Sequence, residues 1–375
     1  MENRTDSINA ERLKQEFSEL VTVDSVTFRE RQMADILKEK LAKLGFEVTE
    51  DSAGNYYGGN AGNVYGFLKG TLPGTPVLLS AHMDTVQPGK GKQAIFHEDG
   101  RVTSNGTTIL GADDLAGIVE ILEGIRYVKE AGIAHRDVEV LFPIGEEAYV
   151  KGTDRLDYST IKAKEAFVLD MSGPVGTAVL QAPSILSFKA VMHGKASHAG
   201  FAPEKGIHAI AVMSSAVAEI RQGRLDEETT LNIGTIAGGE ALNIVPDICT
   251  CTGEVRSYDH GRALAALEAA RCIFEGKAQK AGTVCEFTWK ADTIAYKTEE
   301  NSPAVKRFLR CCRELGIEPE LTRTFGGSDN NNFVKNGING VVLSCGMYQV
   351  HSTEEYTLVE ELVKGAALVA GLIDN

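Results

Sequence analysis

No cysteine precedes Cys249, and the seven present (Cys249, Cys251, Cys272, Cys285, Cys311, Cys312 and Cys345) are odd in number and form no C-x-x-C pair. The pattern argues against a disulfide framework and reads as reduced thiols in a cytoplasmic protein. Cys249 and Cys251 alternate within IVPDICTCTGEVR, which places both on one face of a strand as core packing. Also missing is any run of the roughly 18 apolar residues that a membrane span needs. The N-terminal MENRTDSINAERLKQEF is charged throughout, so neither membrane insertion nor export is indicated. Basic charge is short as well: 38 Lys and Arg against 52 Asp and Glu leave a net charge of −14, which excludes a general polyanion-binding surface and with it nucleic acid as a partner.

What is present is an ordinary globular composition, 43% hydrophobic and 24% charged, too apolar for a disordered chain. A length of 375 residues predicts about two domains. Asn9 to Val21 reads as a helix, and Thr27 with Glu30 makes a capping-box pattern ahead of Met33, Leu37, Leu41 and Leu44, with Gly45 as a stop. Short β-rich runs then alternate with helices, among them PVLLSAHMD, DVEVLFPIGEE and AFVLDM, which predicts an α/β domain built on a mostly parallel sheet. From Pro183 the texture changes to two strand-and-helix alternations ending near Trp289, a smaller α+β insertion placed at 183–294. Residues 1–182 and 295–375 would then form one discontinuous domain around it.

Acidic and histidine side chains stand where apolar strands end: His82 and Asp84 after VLLSA, Glu146 and Glu147 after VEVLFPIG, Asp170 in AFVLDM, and His351 after VVLSCGMYQV. In open α/β sheets the functional crevice lies outside the carboxyl ends of the strands, so these groups can meet in one site. Asp113 and Asp114 in LGADDLAG would by themselves be read as helix caps. Together, two histidines and several carboxylates without a thiolate form a ligand set for Zn²⁺, with Co²⁺ or Mn²⁺ as alternatives. Two ions with an open position each need about three protein ligands apiece, and five residues suffice if one bridges. Asp113 as the bridge, His82 and Asp170 on one ion, and Glu147 and His351 on the other meet that count. Asp84, two residues beyond His82 on an extended strand end, is expected to orient the imidazole through its carboxylate. Glu146, beside a ligand but not itself one, is the expected general base.

The ordered motifs HMDTVQPG, LGADDLAG, PIGEEAYVKG, VLDMSGPVG, GKASHAGFAPEKGIHAI and FGGSDNNNF resemble those of the M20 family of dinuclear zinc peptidases, in its peptidase T-like branch, which includes tripeptide aminopeptidases. The resemblance implies a zinc-peptidase-like α/β domain interrupted by an α+β lid, two Zn²⁺ per chain and a short peptide substrate. It also implies lid-to-lid homodimers, which occur in related proteins. By motif it carries metal ligation onto His82, Asp113, Glu147, Asp170 and His351, catalysis onto Asp84 and Glu146, and a cis peptide onto Asp113–Asp114. There are departures. Leu115 stands where the family usually has lysine, Asn331 where alanine is common, and Phe325 where peptidase T has an arginine before the glycine pair; Arg323 lies two residues too early to replace it.

For the lid, the resemblance implies that His198 in GKASHAG stabilises developing oxyanion charge, and that Asn243 and Arg256 bind substrate. Local readings of the three are a loop histidine, a turn amide and a strand-end cation. The leading expectation is a metal-dependent exopeptidase acting on short peptides. An M20-type amidohydrolase for N-acyl amino acids or other small amides is the alternative, and a catalytically inactive, metal-stabilised binding protein a second. Retention of both Asp84 and Glu146 argues against the last, since neither is needed to hold metal.

Overall fold

The computed structural model describes residues 4–374. The chain divides into two compact units, one of Met1–Leu180, Lys297–Arg323 and Ser328–Asn375, the other of Gln181–Tyr296 with Thr324–Gly327.

In the first unit the middle of the sheet runs Val138–Phe142, Val77–Ser80, Glu165–Ser172, Asn339–Tyr348, all parallel. Antiparallel strands flank it on both sides, with Val64–Leu68 joining Val138–Phe142 and Tyr356–Leu358 joining Asn339–Tyr348. The parallel strands are apolar on both faces because both faces are covered. Val77, Leu79, Val140, Phe167, Leu169, Val341 and Leu343 enter one core, while the residues between them, Leu78, Leu141, Ala166, Val168 and Val342, enter a second core with Phe333. The helix Ala112–Glu130 is buried without a break from Ala112 to Ile125, which accounts for its run of apolar and small residues in place of an amphipathic stripe.

The two N-terminal helices form at Ala10–Val21 and Arg31–Lys43, and the Asn9 side chain caps the first by accepting from Arg12 N–H at 3.0 Å. The capping box read at Thr27 and Glu30 does not form. Thr27 Oγ1 instead donates to Asp84 Oδ2 at 2.9 Å, and Glu30 Oε1 accepts from Phe28 N–H at 2.7 Å and Gly145 N–H at 3.2 Å. Both residues are drawn toward the strand ends, where buried polar groups in the loops need partners more than the helix start does.

The second unit is an antiparallel sheet in the order Gly223–Arg224, Thr229–Gly238, Ile248–Ser257, Ser184–His193, Cys285–Thr293. The helices Ala209–Glu219 and His260–Lys280 share its core. Cys249 and Cys251 lie opposite Met192 and Ala190 and are buried in that core as free thiols.

Gly124 marks a close approach of two helices in the first unit. A Cβ there would stand 2.6 Å from Ala366 O and 2.8 Å from Val369 Cγ1, both on the helix Val359–Ile373. Gly124→Ala should therefore destabilise the protein by about 1–3 kcal/mol through overpacking, outweighing the better helix propensity of alanine. A lower urea midpoint at unchanged m-value would register this, and an unchanged or higher midpoint would contradict it.

Candidate metal centre

Most of the chemically interesting side chains of the first unit stand at or just beyond the carboxyl end of a parallel strand. His82 and Asp84 follow Val77–Ser80, Glu146 and Glu147 follow Val138–Phe142, Asp170 lies within Glu165–Ser172, and His351 follows Asn339–Tyr348. Asp113 arrives from the turn that opens the helix Ala112–Glu130, where the Asp113–Asp114 peptide is cis.

The five residues expected to be ligands converge. His82 Nε2 lies 3.0 Å from Asp113 Oδ1 and 3.7 Å from Asp170 Oδ1. His351 Nε2 lies 3.0 Å from Glu147 Oε1 and 3.2 Å from Asp113 Oδ2. Asp113 thus points one oxygen at each histidine. Donor atoms of His82, Asp113 and Glu147 all fall within 4.8 Å of one another, as do those of His82, Asp114 and Asp170. Asp114 is otherwise engaged: its Oδ2 accepts from His82 N–H at 3.0 Å, and Cys345 Sγ sits 3.7 Å from its Oδ1.

The support around these groups is specific. His82 Nδ1 donates to the main-chain carbonyl of Asp84 at 2.9 Å, so Nε2, which donates to Asp113 in the metal-free chain, is the nitrogen that can ligate once its proton is displaced. That carbonyl, and not the Asp84 carboxylate 3.6 Å away, is the nearer partner of the imidazole. The carboxylate accepts from Glu146 N–H at 2.9 Å and Glu147 N–H at 3.2 Å, so it holds the turn bearing both glutamates.

Electrostatics show what the cluster lacks. Burial and neighbouring charges, Asp170 first among them, push Glu146 well above the usual carboxylate range, and burial pushes Asp170 up to about 6. Asp329, buried behind them with Thr153 Oγ1 as donor, is pushed up to about 7, chiefly by burial. For Asp113 burial acts in the same direction, but hydrogen bonds from His351 and His82 overcome it and hold the group below its ordinary value. So many buried carboxylates around two imidazoles repel one another unless cations are placed among them, and oxygen and imidazole donors suit divalent ions. The residues present fit a pair of such ions.

In the second unit, His198 and Asn243 come together. Ala199 N–H donates to Asn243 O at 2.9 Å, and His198 forms a β-bridge with Ile244. His198 Nδ1 accepts from Gly200 N–H and Phe201 N–H, both at 3.1 Å, and the ring stacks on Phe201 at 4.2 Å. The neutral ring therefore carries its proton on Nε2. Arg256 is spent locally: its Nε donates to Glu254 Oε1 at 2.7 Å and a terminal nitrogen donates to Phe325 O at 2.8 Å. Sequence reasoning missed Thr27, Asp114 and Glu355 as supports of the centre. Only Asp114 carried a signal, its place beside Asp113.

A family model described as "Peptidase dimerisation domain" matches residues 182–281, and one described as "Peptidase family M28" matches residues 63–216. "Uncharacterized protein YqjE" of Bacillus subtilis is 38% identical, the alignment covering 98% of this chain and 99% of that protein. Among solved structures, an aminopeptidase PepT from Bacillus cereus superposes with a TM-score of 0.90 at 38% identity, covering 98% of this chain and 99% of that one. A tripeptidase from Staphylococcus aureus superposes with a TM-score of 0.94 at 35% identity, covering 98% of both chains. Likeness at this level reaches from backbone to sequence across nearly the full length of both partners, and the chain belongs to the M20 family of zinc-dependent peptidases, in its peptidase T-like branch.

Proposed function

We propose that this chain is a metal-dependent exopeptidase that removes residues from short peptides, with Zn²⁺ as the ion at both positions. The observation that carries the reading is the division of Asp113 between His82 and His351, which suits one carboxylate bridging two ions. His82 and Asp170 would complete one position, Glu147 and His351 the other. Two divalent ions bound there supply Lewis-acid polarisation of the scissile carbonyl and lower the pKa of water. Glu146 takes the proton from the attacking water and passes it to the leaving amine; burial and Asp170 raise its proton affinity in the metal-free chain, and cations beside it would favour the ionised form that a base needs. Asp84 acts on Glu146 through the backbone, fixing the turn on which it stands. His198 offers an Nε2 proton to the oxyanion, while Asn243 and Arg256 are the proposed substrate-binding residues of the insertion, Arg256 with only the donors that Glu254 and Phe325 leave it.

The functional boundaries we propose are 1–182 with 295–375 for the catalytic domain and 183–294 for the lid. The dimerisation-domain match over residues 182–281 supports a homodimer formed through that lid. A cytoplasmic location is in keeping with the seven free cysteines; among the described residues no helix is long and apolar enough to cross a membrane.

Assay of the zinc-loaded protein on di-, tri- and tetrapeptides alongside N-acyl amino acids tests the substrate class, and turnover confined to the N-acyl compounds would defeat the peptidase reading. Within that assay, Glu146→Gln should lower kcat by roughly 10²–10⁴-fold while metal content stays at two ions, whereas Glu147→Gln should lose metal. Near-native kcat for Glu146→Gln would remove it as the base.

Metal affinity should also climb with pH. Hydrogen bonds with Asp113 and Glu147 raise His351 to about 10, so in the metal-free chain it is protonated at neutral pH and a binding ion must displace that proton. Each displaced proton strengthens binding by roughly tenfold per pH unit below the group's pKa, and the slope should steepen below about pH 6, where Asp170 is protonated too. Chelator competition between about pH 5.5 and 8 measures this, and a flat profile would contradict it.

A further inference from the structure

Glu355 is 1% exposed and lies four residues beyond His351, yet its carboxylate serves a distant part of the chain. Its Oε2 accepts from Gly111 N–H at 2.7 Å and its Oε1 from Asp113 N–H at 2.9 Å. Two amides that bracket Ala112 are thus held by one rigid fork. Gly111 sits at φ 79°, and a Cβ there would stand 3.0 Å from Cε of the buried Lys92, so the turn has little room to shift. At the other end, Glu355 closes the turn that carries His351. Glu355 N–H donates to Ser352 O at 3.2 Å and Ser352 Oγ to Gln349 O at 2.7 Å, while Gln349 and His351 adopt φ of 51° and 62° without being glycine. Such backbone persists where its surroundings over-determine it, and Glu355 is the buried anchor of this stretch.

His82 is held by other means: its own N–H is taken by Asp114 and its Nδ1–H by the Asp84 carbonyl. The two histidines therefore depend on different supports.

We infer that Glu355 is a positioning residue that fixes His351 against Asp113, and so sets the affinity of the metal position shared by Glu147 and His351 in preference to the one at His82 and Asp170. The inference rests on the two-ion reading above. Glu355→Gln keeps the shape, but its amide nitrogen cannot accept from Gly111 or Asp113, which leaves one buried N–H unpaired.

The test is Zn²⁺ titration against a competing chelator, with bound metal counted by mass spectrometry. Wild type should bind two ions. Glu355→Gln should keep the tighter ion within about threefold and lose the second by roughly tenfold to a hundredfold, the range seen when the partner of a ligand is removed. Glu355→Asp, which keeps the charge, should recover part of that loss. Wild-type affinity at both positions, or equal weakening of both, would overturn the role of Glu355, whereas a wild type that binds fewer than two ions defeats the two-ion reading instead. If neither variant folds by circular dichroism, hydrogen exchange on the unaltered, metal-free protein decides. Amides in residues 109–115 should exchange at a common rate with those in 349–356, and clearly separate rates would overturn the link.

Discussion

One carboxylate, that of Asp113, is apportioned between two histidines brought in from opposite ends of the chain, and the geometry of the first unit is arranged around that division. A side chain can face two partners this way only if its backbone is fixed from outside. The helix it opens cannot supply this, since Asp113 and Asp114 themselves depart from helical dihedrals. The hold comes from elsewhere: Glu355 takes the amides on the approach, and Asp114 reaches across to the His82 amide. The parallel strands bring the groups to one edge; these buried acceptors set their spacing.

Much of this was legible from residue type and strand-end position. A parallel sheet whose strands are apolar on both faces announces itself in runs such as VLLS and VEVLF, and carboxylates placed just past such runs are necessarily neighbours in space. The same logic puts His82, Glu147, Asp170 and His351 together, because strand order and strand direction leave their side chains one destination; Asp113, at a helix start, joined them only through the count of ligands that two ions need. Cys249 and Cys251 were equally readable, since a period of two admits one face only.

Supports that act across long sequence separations were not readable. Thr27 and Glu30 match a local capping pattern, and nothing in their spacing says that the demand of Asp84 and Gly145 for partners outweighs the helix start. In HSTEEY, two adjacent glutamates look alike, although Glu354 is exposed and Glu355 buried; only the fold distinguishes them by bringing Gly111 and Asp113 to the second. Arg256 illustrates the reverse. Its strand-end position suggested a free cation, but a glutamate two residues away lies on the same strand face and claims it. Asp84 adds a finer point: period-two reasoning put it beside His82, while the contact with the ring is made by its main chain, and its carboxylate was released to hold Glu146 and Glu147.

A common device links these supports. Glu30, Asp84, Asp114 and Glu355 are buried carboxylates that accept main-chain N–H groups from the turns bearing the site. Neutral acceptors would orient the turns at less electrostatic cost, because ionising these acids adds negative charge to a region where Glu146, Glu147 and Asp170 already repel one another, and burial accordingly pushes Glu30 and Glu355 up to about 7. Glu120, farther along the helix from Asp114, is buried with neither oxygen partnered among the described residues and is pushed well above its usual value, first by burial and then by Asp114 and Glu361. The first unit therefore carries more buried acid than its own cations balance near the site. The excess has a consequence beyond ligation. A divalent ion at the centre relieves repulsion in the ligands and in the acids behind them together, so the charge that fixes the turns also strengthens the coupling between metal binding and the stability of the fold.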